Sequence, residues 1–294
     1  MYRTKVTLRR HAVAIATALF FFASIGGLFG LTLAADRPQP ISIKGSDTMV
    51  QLVSSWAEAF MNKFPEADIS VTGGGSGTGI AALLNGTTDI CSASRDMKEK
   101  EIADARAKGI EPTPNVVARD GIAVVVNPAN PISELTQEQI AKIYTGAYTN
   151  WNQLGGPDQK IIVLSRESSS GTFVFFQEHV LKMKDYTVEA RLMPATSAIV
   201  QSVSADKWAI GYVGLGYAVE SKGKVKMLAV KADASSPAVV PSEATVISGI
   251  YSIARPLYLY TKGAPAGTVK AFVDFCLSPE GQKIAVETGY VPVK

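Results

Sequence analysis

The chain is poor in the side chains that build metal and redox centres. It has two cysteines, Cys91 and Cys276, and two histidines in 294 residues. Two thiols and one histidine beyond the N-terminal region, His179, are too few for a typical zinc site. Neither HExxH nor CxxC spacing occurs. Nucleotide and hydrolase signatures are missing too. No Gly-Lys-Ser/Thr is present, which excludes a Walker loop. The glycine-rich stretch 73–79 fits G-x-G-x-x-G from no starting point, and Thr78 stands where a nucleophile elbow built on Ser76 needs glycine. His179 lies about two helical turns beyond Thr172, too far to serve Ser170 as a general base. There is no fixed-period repeat and no low-complexity tract. The composition, 47% hydrophobic and 19% charged, is that of a chain with a packed core.

The first 35 residues lack acids. Arg3, Lys5, Arg9 and Arg10 are followed by an almost uncharged apolar run from Ala12 to about Leu33, then Ala34-Ala35 and the polar Asp36-Arg37-Pro38-Gln39-Pro40. This is the order of a secretory signal peptide over residues 1–35, cleaved near Ala34 or Ala35. The alternative is an uncleaved membrane anchor, since the run is long enough to span a bilayer. No cysteine lies near its end, so a lipid-modified start is excluded. Removing the leader takes away four basic residues and moves the formal net charge from +3 to −1. The overall field therefore points to no nucleic acid, and affinity for an anion has to come from a local site. Export also makes a Cys91–Cys276 disulfide chemically possible, against two buried free thiols.

Beyond the leader, short apolar runs alternate with helical stretches. Strands are expected at Ile41–Ile43, Ile69–Val71, Asp89–Cys91, Ile122–Val126, Ile161–Leu164, Ile210–Val213, Val225–Leu228 and Pro256–Tyr260. Helices are expected at Val50–Phe64, Ile80–Leu84, Lys98–Lys108, Thr136–Ile143, Gly171–Leu181, Ala266–Phe275 and Glu280–Thr288. Such alternation predicts an α/β fold with substantially parallel sheets.

One local arrangement occurs three times. A strand leads into a Ser/Thr/Gly-rich turn that opens a helix: Gly45-Ser46-Asp47-Thr48, then Gly73 to Gly79 around Ser76 and Gly77, then Arg166-Glu167-Ser168-Ser169-Ser170-Gly171-Thr172. The first turn of a helix has free N–H groups and a partial positive charge. Glycine allows close approach, and Ser and Thr add hydroxyl donors. Each such end is a ready anion site. Each is also an ordinary helix cap; it is the recurrence that favours binding. Arg166 can grip two oxygens at once. Arg95, in Ser92-Ala93-Ser94-Arg95-Asp96, is a second candidate. A surface ion pair is the plain alternative for both. Phosphate carries a proton at neutral pH and sulfate carries none, so a buried carboxylate would separate the two. Asp47 is the first candidate for that acceptor, with a helix cap as its other reading; Asp96 and Glu167 are weaker ones.

With these segments in view, the chain resembles the periplasmic phosphate-binding proteins that serve ABC transporters, over most of its mature length. The resemblance is carried by Gly45-Ser46-Asp47-Thr48-Met49, Gly75-Ser76-Gly77-Thr78-Gly79, Arg166…Ser170-Gly171-Thr172, Ile143-Tyr144-Thr145-Gly146 with Trp151, Ser278-Pro279-Glu280-Gly281-Gln282 and Gly289-Tyr290-Val291-Pro292. It implies a two-lobed periplasmic-binding-protein fold. Each lobe is a mixed, mainly parallel sheet flanked by helices, and two crossing hinge strands, near Ile122–Val126 and Pro256–Tyr260, join the lobes. Residues 36–121 plus 252–294 would form one lobe and 122–251 the other. It implies binding of inorganic phosphate by Ser46, Thr48, Ser76, Gly77, Arg166, Ser170, Gly171 and Thr172, with delivery to the membrane permease subunits of an ABC transporter. The protein would be a periplasmic monomer, not an enzyme, and without cofactor or metal. Where the best-known members have an Asp after Ala-Ser, this chain has Arg95 after Ala93-Ser94. That departure moves the acceptor role toward Asp47. The other readings are a receptor for sulfate, molybdate or tungstate, and, in a different class, a phosphatase or a phosphate-sensing protein.

Overall fold

A computed structural model describes residues 39–293, so the expected leader lies outside the described residues. The first strand, β1 (Ile41–Gly45), buries alternate residues, as a strand facing a core must. Helix α1 (Val50–Lys63) buries Leu52, Val53, Trp56, Ala57 and Phe60, the three-to-four spacing of one helical face. Next come β2 (Ile69–Thr72), α2 (Ser76–Leu84), β3 (Ile90–Ala93) and α3 (Glu99–Ala107). Helix α2 starts at Ser76, four residues before the expected Ile80, because the glycine-rich turn itself opens the helix.

The long strand β4 (Pro112–Val126) follows, then β5 (Glu134–Thr136), α4 (Gln137–Tyr144), β6 (Ile162–Arg166), α5 (Gly171–His179) and β7 (Arg191–Met193). Helix α6 (Thr196–Ala205), strand β8 (Ala209–Gly214), helix α7 (Leu215–Glu220) and the short β9 (Lys226–Met227) and β10 (Ala229–Lys231) come next. Helix α8 (Glu243–Ile247), β11 (Ala254–Lys262), α9 (Gly267–Leu277) and α10 (Pro279–Glu287) complete the described chain.

The strands lie in the order β2-β1-β3-β11-β4-β8-β6-β7. The outer pairs are parallel, and the antiparallel pairs all involve the central β4 and β11. Residues 112–121 of β4 pair with β11, and residues 122–126 pair with β8. This single strand therefore belongs to two sheet halves, with the change of partner between Gly121 and Ile122. Its first part escapes the sequence reading because Pro112 and Pro114 break the strand pattern. Prolines fit there because β8 pairing begins only at Ile122 and the bridge to Val291 lies at Arg119, which leaves the second edge unpaired at Pro112 and Pro114.

Each half has its own core, and the halves are two lobes. One core gathers Ile41, Ile43, Trp56, Phe60, Leu257 and Phe272. The other gathers Ile122, Val124, Tyr144, Trp151, Phe176 and Tyr212, while Ala123 and Val125 face Leu164, Ile199 and Val203 on the opposite side of the same sheet. Burial on both faces explains why Ile122–Val126 is a continuous apolar run. Cys91 and Cys276 are both buried and free. No helix among the described residues is long and apolar enough to cross a membrane.

Candidate functional site

The parallel strands β1, β2 and β6 each end in one of the three helix-opening turns, and the turns meet at a crevice between the lobes. Ser46 Oγ donates to Ser94 Oγ at 2.9 Å, and the Ser94 amide donates to Ser76 Oγ at 3.1 Å. Across the crevice, Thr48 Oγ1 and Thr172 Oγ1 lie 2.7 Å apart, and the Gly77 amide donates to the Ser169 carbonyl at 3.0 Å. Ser46, Thr48, Ser76, Ser94, Ser170 and Thr172 are all buried. Ser170 Oγ caps α5 by accepting from the Thr172 and Phe173 amides.

Two glycines allow this approach. Gly75 has φ +99°, and a Cβ there would lie 2.5 Å from the Ser169 carbonyl oxygen. At Gly171 a Cβ would lie 2.3 Å from Ser76 Oγ and 2.7 Å from Ser94 Oγ. Hydroxyls and helix starts distant in sequence thus converge, and at such a point an oxyanion can replace water on several oxygens at once.

The two predicted arginines flank the crevice and already hold partners. Arg95 gives two bonds of 2.8 Å to Glu101 and one to the Asp96 carbonyl, while its buried Nε has no partner. Burial alone would raise the Glu101 pKa, but the bonds from Arg95 and from the Lys98 amide outweigh it and hold the carboxyl below its ordinary value. Arg166 donates to the Met193 and Pro194 carbonyls and to Thr196 Oγ1. Its Nη2 lies 3.4 Å from Asp47 Oδ2. Burial lowers the Arg166 pKa and Asp47 opposes that shift. Asp47 Oδ2 also accepts the Thr196 amide at 2.6 Å, so this carboxylate ties the first lobe to the start of α6 in the second. Asp96 is exposed and accepts from Tyr258 at 2.6 Å, and Glu167 is exposed.

The structure adds two residues that the sequence reading missed. Asp120 and Arg255 are fully buried and form an ion pair of 2.9 Å. Arg255 Nε and Nη2 both donate to Asp120 Oδ2, Nη1 donates to the Ser94 carbonyl, and Nη2 also donates to Thr172 Oγ1. The Leu215 amide donates to Asp120 Oδ1 at 2.9 Å. Burial raises the Asp120 pKa, with Arg255 pulling it back. The signal in the sequence is a charge set directly against an apolar strand, at Asp120-Gly121-Ile122 and at Arg255-Pro256-Leu257; nothing local pairs residues 135 apart. Arg95, Arg166 and Arg255 each face a carboxylate, so aimed donors and helix dipoles, not excess positive charge, provide the attraction for an anion.

Comparison with known proteins gives the family of the chain. The PBP superfamily domain model matches residues 32–280. Protein SphX of Synechococcus elongatus is 33% identical, over 100% of this chain and 88% of its own. The phosphate-binding protein PstS of Pseudomonas aeruginosa is 32% identical, over 95% of this chain and 94% of its own. A phosphate ABC transporter substrate-binding protein from Clostridium perfringens, solved with bound phosphate, superimposes with a TM-score of 0.78 at 34% identity, covering 87% of this chain and 100% of that one. The chain belongs to the PBP superfamily and, within it, to the family of PstS phosphate-binding proteins.

Proposed function

We propose that this chain binds inorganic phosphate between its lobes and delivers it to the membrane permease subunits of an ABC transporter. The observation that carries this reading is the convergence of buried hydroxyls and helix starts from both lobes, with Thr48 and Thr172 in contact across the crevice. The donors are Ser46, Thr48, Ser76, Gly77, Ser94, Ser170, Gly171 and Thr172. Asp47, Arg95 and Arg166 brace the loops that carry them. The lobes are residues 36–121 with 252–294, and residues 122–251; the change of β4 partners at Gly121–Ile122 supports that division. Binding draws the lobes together, and closure replaces water by fixed donors.

The protein acts in the periplasm after loss of residues 1–35, and it acts by binding rather than catalysis. Ser170 Oγ accepts two backbone amides, and the His179 ring stacks on Phe175, so His179 is not placed as a base for that hydroxyl. The direct test is calorimetry on the ligand-stripped mature protein with phosphate, sulfate and molybdate. Tight phosphate binding is expected, and its absence overturns the proposal. Phosphate release from an ester, lost in Ser170→Ala, would establish an enzyme instead. The mass of the exported protein reads the cleavage site.

A further inference from the structure

Two segments that carry the family resemblance, Ser278-Pro279-Glu280-Gly281-Gln282 and Gly289-Tyr290-Val291-Pro292, lie outside the donor set. Ser278 caps α10 by accepting the Gly281 amide, and Gly289, at φ +78°, ends that helix. The Gly289 amide donates to the Val286 carbonyl and the Tyr290 amide to the Ala285 carbonyl, the paired bonds of a glycine-ended helix. Beyond this turn the chain runs beside β4, where Val291 and Arg119 exchange amide–carbonyl bonds of 2.7 and 3.0 Å. Gln282 fixes the last residues, donating to the Val117 carbonyl and accepting the Val293 amide.

This segment reaches both lobes. Tyr290 packs in the core of the first lobe and Val291 in that of the second, because neighbours in an extended chain point to opposite sides. The bridge at Arg119 lies beside the change of β4 partners at Gly121–Ile122, so the segment stands at the joint between the lobes. There it meets α7 of the second lobe, backbone against backbone. A Cβ on Gly289 would lie 2.9 Å from Gly216 Cα, and one on Gly216 would lie 2.7 Å from both the Thr288 carbonyl oxygen and the Tyr290 ring. The ring is thus seated on Gly216, and its hydroxyl donates to the Thr48 carbonyl. Burial keeps that phenol protonated, well above its ordinary range. The next residue of α7, Tyr217, donates to the Asp47 carbonyl at 3.2 Å. Phenols therefore hold successive carbonyls of the first donor turn, one from the C-terminal segment and one from the second lobe. A held carbonyl fixes its whole peptide plane, and with it the direction of the Thr48 side chain, whose hydroxyl meets Thr172 at 2.7 Å.

Resting on the phosphate reading, we propose that Tyr290 is a positioning residue of the anion site: seated on Gly216 of the second lobe, it holds the Thr48 carbonyl so that the Thr48 hydroxyl is aimed at the anion when the lobes close. Tyr290 itself touches no anion. For packing alone a phenylalanine would serve as well. Loss of the hydroxyl instead leaves the Thr48 carbonyl buried without this donor and lets the turn shift.

The test is calorimetry with phosphate on the mature protein and its variants, with melting curves in parallel. Tyr290→Phe is expected to weaken phosphate binding by about tenfold. Thr88→Val removes another buried hydroxyl donor, the one on the Ser42 carbonyl at the opposite end of β1. It is expected to lower the melting midpoint and to leave phosphate affinity within about twofold, since distant sites act independently. Combining Tyr290→Phe with Thr48→Val separates positioning from general loosening. A residue that acts through Thr48 costs less than about threefold once the Thr48 hydroxyl is gone, because coupled changes do not add. A folded Tyr290→Phe protein with wild-type affinity overturns the role, as does an undiminished cost in the Thr48→Val background or an equal loss of affinity in Thr88→Val. Should Tyr290→Phe fail to fold, Gly216→Ala decides, because it presses on the ring from the second lobe and removes no bond. Binding about tenfold weaker is expected there, and wild-type affinity overturns the role. Absence of phosphate binding by the wild type is a different failure, seen before any variant is made, and strikes the proposed function itself.

Discussion

At the scale of single residues, the crevice depends on the absence of a side chain as much as on those present. Gly171 stands where a methyl group would fall 2.3 Å from Ser76 Oγ, a separation no real Cβ contact tolerates. Gly171→Ala should hold the lobes apart and weaken phosphate binding by about 100-fold, the usual penalty for a misplaced site. The thermal midpoint of the ligand-free protein should change little, because the clash arises only on closure. Calorimetry with a parallel melting curve checks both. Ser46, Thr48, Ser76, Ser170 and Thr172 were legible because hydroxyl-bearing residues just after a strand are donors wherever the chain goes. Asp120 and Arg255 were not, because each looks like an ordinary surface charge until β11 is laid beside β4.

At the scale of elements, helix ends do two tasks at once. Ser170 caps α5 and belongs to the proposed donor set. Ser170→Ala should therefore lower stability by about 1 kcal/mol and reduce phosphate affinity together, while Thr136→Ala, which uncaps α4 far from the crevice, should lower stability alone. Denaturant unfolding with and without phosphate separates the two. The first turn of α3 is held differently, by Glu101 and its partners. Glu101 is held below the usual glutamate value of 4.5. Its contribution is therefore present above that value and lost as pH falls through the folded one. The melting-temperature difference between wild type and Glu101→Gln should be largest near neutral pH and vanish in acid. Amphipathic α1 was legible in full, since Trp56 and Phe60 recur at helical spacing. Helices α6 and α7 were missed: α6 is rich in Ser and Ala, and α7 opens on Leu215-Gly216, so neither shows a clear apolar stripe.

At the scale of the whole molecule, residues 36–294 are close to neutral and Arg95, Arg166 and Arg255 each have a carboxylate. Phosphate affinity should then change by less than about threefold between 50 and 500 mM salt, since the charges involved are buried and screening acts on exposed ones. A titration series over ionic strength checks this, and a steep decline would point to a field-driven site instead. The sequence by itself determined the local pieces: α/β alternation, and three turns whose amides and hydroxyls suit an oxyanion. Those follow from residue type and spacing over a few positions. Only the tertiary structure decided which charges face the crevice. Arg166 and Asp47 came together across the lobes, Arg95 turned to Glu101, and Asp120 met Arg255 at the crossing of two strands. Asp47 with Arg166 and Asp120 with Arg255 are too far apart in sequence to leave a local pattern, and Arg95 with Glu101, six residues apart, is chosen by burial.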